Sequence, residues 1–167
     1  GLKRLFSSPA AGDDTESRSD IQKRAELFLE WGMDEDAGLI LKKGCDIYPK
    51  NEKIFRLAGV SHLRRKQFSK ALACFARSLL LSNGSTENRI YILISLTGLL
   101  AFMDSTGYDA GKVADIEERV SAYLRDKKII AYLGSDTCRQ LQHCRNKGDF
   151  DSLSSEITAA VSKRLYI

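Results

Sequence analysis

The chain has 167 residues, of which 43% are apolar, 29% charged and only two proline. Such a composition suits one domain with its own core, and excludes a wholly disordered chain or a turn-rich sandwich or barrel. The net charge of +4 is uneven: residues 1–17 and 18–51 carry −1 each, 52–85 carry +6, and 86–167 balance at eleven charges of each sign. An acidic partner is therefore sought in the 52–85 window. The longest uncharged run, 90–103, has 14 residues, short of the about 20 that a membrane-spanning helix needs, so no span is expected. Residues 1–6 are basic, but no apolar core or cleavage site follows them, and no secretory signal is read. The scattered cysteines Cys45, Cys74, Cys138 and Cys144 read as reduced thiols, which points to a cytoplasmic location.

In chain order, residues 1–17 come first, with Ser7-Ser8-Pro9 and Asp13-Asp14-Thr15-Glu16. They lack a helical period beyond residue 6 and read as a flexible tail. From residue 18 apolar positions recur every three or four residues. This spacing predicts helices over 18–31, 34–48, 52–65, 68–82, 86–103, 110–126, 135–147 and 150–165, with a short extra turn at 127–133. Pro49 and Asn83-Gly84 supply stop signals between them. Residues 89–103 are apolar on all faces, which predicts a central helix covered on both sides. A glycine-rich loop is expected at 104–111, ending on Asp109 as a cap for the next helix. The expected core comprises Leu27, Phe28, Leu41, Phe55, Ala58, Ala71, Phe75, Ile90, Leu93, Leu96, Leu100, Leu141 and Leu153.

A shift of 34 residues superposes much of this pattern. Ala71 falls on Ala37, Phe75 on Leu41, Ser78 on Gly44, Gly59 on Ala25 and His62 on Phe28. A fixed period of this length marks a helical solenoid. The best copy reads Phe55-x2-Ala58-Gly59-x2-His62, then Phe68-x2-Ala71-x3-Phe75-x2-Ser78. A weaker copy has Ile21, Ala25 and Phe28, then Ala37, Leu41, Gly44 and Pro49; a third has Leu141 and Cys144, then Gly148-Asp149-Phe150, Leu153, Ile157 and Ala160. In these positions the chain resembles the tetratricopeptide repeat family. The resemblance implies an all-α solenoid of antiparallel helix pairs, about eight helices in all. Its repeats would lie near 18–51, 52–85, a divergent 86–133, and 134–167. Small residues such as Ala58, Gly59 and Ala71 then allow close helix approach.

Few groups suggest chemistry. Cys138, His143 and Cys144 lack the paired spacing of zinc ligands, and no second pair accompanies them. Gly107-x3-Gly111 has neither a preceding strand nor a following Lys-Ser/Thr, so it is no phosphate loop. No metal, cofactor or catalytic set is assigned, and the chain reads as a non-catalytic interaction module or scaffold. By the resemblance, Lys53, Arg56, Val60, Leu63 and Arg64 would line a concave groove. Gln22, Glu26, Leu29 and Glu30 would face them from the first repeat, and Ile90, Ile94 and Thr97 from the third pair. Such a groove would hold a protein or peptide segment of acidic character; the plainer alternative is a solvated charged face. Gln22, Glu26 and Leu57 stand where the family's carboxylate clamp would need Lys, Asn and Asn, which disfavours that specialised role. A nucleic-acid-binding helical repeat is the weaker reading, because the bases have few aromatics among them. The solenoid's free ends leave homo-oligomerisation open, with Ile157, Val161 and Leu165 as a cap for the last helix. The closing Leu165-Tyr166-Ile167 has the look of an opening strand. It raises the alternative of an accessory module, for oligomerisation or docking, of a larger enzyme such as a bacterial polysaccharide-synthesis glycosyltransferase.

Overall fold

The computed structural model describes residues 17–165. The tail expected at 1–17 and the strand expected around Tyr166 therefore lie, but for Ser17 and Leu165, outside the described residues. The fold is all-α: nine helices and no strand occur among the described residues. They are α1 (Arg18–Glu30), α2 (Asp34–Ile47), α3 (Glu52–Arg64), α4 (Phe68–Leu81), α5 (Thr86–Thr106), α6 (Ala110–Leu124), α7 (Lys127–Leu133), α8 (Ser135–Asn146) and α9 (Phe150–Val161). The ninth helix is α7, expected only as an extra turn. Asp126 caps it by accepting from the backbone N–H groups of Lys128 and Ile129.

Side-chain caps set most of the starts. Ser17, Asn51, Ser85, Asp109 and Asp149 each accept from an N–H in the first turn, satisfying a donor that the helix itself leaves unpaired. Two boundaries differ from the periodicity by three residues or more. α5 continues three residues beyond 103, because the loop really begins at Gly107, whose φ of +71° ends the helix in a left-handed cap. α9 stops at Val161 rather than 165, although Leu165 still packs against the core.

Consecutive helices pack against one another from α1 through α6, as antiparallel pairs require. α5 is the centre. It lies against α4, α6 and α9, and every residue from Ile90 to Gly98 is buried. Its length and composition would suffice to cross a membrane, but 61% of its most apolar window is buried inside the fold. α9 packs along α5 as well as against α8, so α5, α6, α8 and α9 close on themselves at the C-terminal end.

At two expected core positions the buried residue is a neighbour one or two places along the helix. Leu27 and Phe55 are only half-buried, while Leu29 and Ile54 take the interior positions. The Phe55 ring instead lies 6.0 Å from the Arg77 guanidinium. Small residues do permit close approach. Phe75, fully buried, lies close against Gly59 and stacks on Tyr91, at 4.7 Å between ring centroids and 5° between planes. One polar knot accompanies this core. Asn88, fully buried, donates to Glu52 Oε1 (3.0 Å) and Ser82 Oγ (3.1 Å), and accepts from Ser78 Oγ (3.1 Å).

Candidate functional site

Three of the seven cations of residues 52–85 pair with carboxylates within the fold. Lys53 Nζ pairs with Glu26 Oε1 at 2.7 Å across α3 and α1. Arg56 bridges Glu87 of α5 (2.9 Å) and Glu52 of its own helix (3.5 Å). Arg64 Nε meets Asp34 Oδ1 at the start of α2 (3.0 Å). Arg65 is held by Ser61, through its backbone oxygen (3.2 Å) and its hydroxyl (3.1 Å). Gln22 donates to Asn51 Oδ1 at 3.2 Å, tying α1 to the α3 cap. The structure thus joins Gln22, Glu26, Lys53, Arg56 and Arg64 into a ladder of intramolecular bonds along α3. Any acidic ligand at Lys53, Arg56 or Arg64 competes with carboxylates already in place. Val60 is sealed in the core at 0% exposure and offers a partner no surface.

Leu63 and Ile94 are also buried, at 7% and 4%, but both line a cleft of about 350 Å³ at the end of α3. Its floor is Leu63, Phe68 and Ile94; Asp34, Arg64 and Lys66 form one rim, and Ser154 and Thr158 of α9 the other. Five of these residues, Asp34, Lys66, Phe68, Ser154 and Thr158, were not among the expected groove residues. Lys66 follows the helix and sits in a left-handed turn (φ 59°). Its N–H donates to Leu63 O, and the N–H of Gln67 to His62 O, both at 2.9 Å. The turn therefore fixes the Lys66 backbone at the cleft mouth, while its side chain is exposed and makes no ion pair among the described residues. Ser154 and Thr158 reach the cleft only because α9 folds back onto α5.

Burial pushes the His62 imidazole below its usual range, and its Nδ1 lies 2.8 Å from Gln67 Oε1, so it serves as a packing and hydrogen-bonding group. Burial raises the thiol of Cys45 to about 12 and that of Cys74 to about 11. Both are therefore poor nucleophiles. Cys138 and Cys144 are buried whereas His143 is exposed, and no group of three or more candidate metal donors occurs among the described residues. Compared with protein-family models, curated proteins and solved structures, the chain matches none.

Proposed function

We propose that this chain is a protein-interaction module of the tetratricopeptide kind, holding a partner segment at the end of its concave groove. The observation that carries the reading is the cleft over Leu63, Phe68 and Ile94, an apolar recess whose rim includes a cation, Lys66, without a carboxylate partner among the described residues. A recess of this size takes one or two bulky side chains of a bound segment, and the ammonium favours a carboxylate beside them. The ladder along α3 then positions the cleft and keeps the groove's charges satisfied when it is empty. The partner carries an acidic segment. The module acts alone as a scaffold or as the docking part of a larger protein.

The test is binding of the captured partner to two variants. Lys66→Glu removes the cation, and Ser154→Phe fills the recess from α9 while leaving the Lys53 and Arg56 ion pairs in place. Each is expected to weaken binding about tenfold or more, equivalent to about 1.4 kcal/mol. Full-strength binding by both variants defeats the assignment. Tight oligonucleotide binding that falls steeply with salt supports a nucleic-acid role instead.

A further inference from the structure

A second surface lies away from this groove, on the side of α5 that faces α4 and α6. We propose that it is a docking surface for an acidic amphipathic helix. α5 has 21 residues, about 31 Å at the usual rise, against 14 in its neighbour α4. Its last two turns therefore reach the start of α4 and overhang it. There Leu99, Phe102 and Met103 floor a cleft of about 440 Å³, with Ser69 of α4 on one wall and Ile116 of α6 on the other. Phe102 and Tyr108 are among the few large apolar side chains left exposed, at 50% and 52%. They sit together, ring centroids 6.5 Å apart. Neighbouring apolar groups of this size, left in water beside a recess, mark a contact surface better than scattered exposure does.

Charge selects the partner. Lys112 and Arg119 line the same cleft with one carboxylate, Asp115, between them, and neither cation makes an ion pair among the described residues. The α3 cations are already paired; these are not. They stand seven residues apart on one face of α6, about 10 Å along its axis, which matches carboxylates two turns apart on a bound helix. Shape selects a helix. The floor is one helix and the walls are two others, and on α4 the exposed face continues from Ser69 through Ala73 and Ala76 to Leu80, which is 73% exposed. A helix laid there sets its apolar residues on Phe102 and Tyr108 and its carboxylates against Lys112 and Arg119, the helix-in-groove mode.

The experiment titrates the isotope-labelled chain with a 15-residue synthetic peptide having Leu at alternating three- and four-residue spacing and Glu elsewhere. A twin carries Lys in place of every Glu. Saturable amide shifts are expected around 99–119 with the Glu peptide only. Phe102→Ala with Tyr108→Ala, at positions half in water, should weaken the affinity at least tenfold with the helical spectrum retained. Lys112→Glu with Arg119→Glu should switch the preference to the Lys peptide. Lys66→Glu and Ser154→Phe should leave these shifts unchanged, which separates this surface from the groove. The proposal is overturned if the Glu peptide gives no saturable shift at 99–119, or if the charge reversal does not switch the preference. It is overturned equally if sedimentation shows a second copy of the chain seated on the same residues.

Discussion

Replacing Gly59 with alanine should destabilise the fold, although alanine is the better helix former. An added Cβ would lie 2.5 Å from Phe75 Cε1, 2.7 Å from Cδ1 and 2.8 Å from Cζ. The ring has little room to retreat, because it is stacked on Tyr91 at 4.7 Å and Phe75 has no exposure. Overpacking of this kind costs about 1–3 kcal/mol, and contact with three ring atoms places Gly59→Ala in the upper half of that range. The gain in helix propensity offsets about 1 kcal/mol. A net loss of about 1–2 kcal/mol remains. At about 2–4 °C per kcal/mol for a domain of this size, Tm should fall by about 2–8 °C. Calorimetry reads this directly. The control is Phe75→Leu, which removes the ring: in that background Gly59→Ala should become neutral or stabilising. A rise in Tm on the native background, or an equal loss in both, would refute the close-packing argument.

The ion-pair ladder makes a separate prediction. Lys53→Glu sets a carboxylate against Glu26 and should lower stability by about 1 kcal/mol in denaturant unfolding, and adding Glu26→Lys should recover most of it. Reversing Lys53, Arg56 and Arg64 together should cost more than the sum of three neutral substitutions, because each new carboxylate meets an existing one. The thiols predict the alkaline limb. Folding raises Cys45 from 9.0 to about 12 and Cys74 from 9.0 to about 11, so the stability they contribute is full below pH 9 and is lost as pH climbs toward 11–12. In the native protein both should react with a disulfide reagent at pH 8 far more slowly than after unfolding. Equal rates in the two states would contradict the burial argument.

Helix positions were legible because their signals are local. The period of apolar residues, Pro49, Asn83-Gly84 and the capping Asp109 act within a turn of where they stand, and the boundaries agree to within a few residues. The errors have physical causes. Phe55 and Ile54 differ by only 100° on the helix, and the larger ring was favoured for the core although Arg77 can cover its face from outside. The end of α5 was placed early because Asp104, Ser105 and Thr106 read as loop. In the fold Ser105 and Thr106 bond back to the Phe102 carbonyl and Gly107 alone turns the chain. The proposed groove was only half legible. Lys53, Arg56 and Arg64 were found as cations and the repeat set Glu26 opposite them, but the other partners, Glu87 and Asp34, lie about 30 residues away in sequence, beyond the reach of helical periodicity. The return of α9 onto α5, which supplies Ser154 and Thr158 to the cleft, is a tertiary event with no local signature.

Site-specific photo-crosslinking in the cell that makes this protein tests the central claim most directly. A benzophenone side chain is placed at Ser154, inside the proposed cleft, and separately at Ser155, the exposed neighbour on α9 that does not line it. The account predicts a discrete protein adduct from position 154, diminished by Lys66→Glu, and none from position 155. Adducts from 155 alone, or an adduct at 154 indifferent to Lys66, would contradict it.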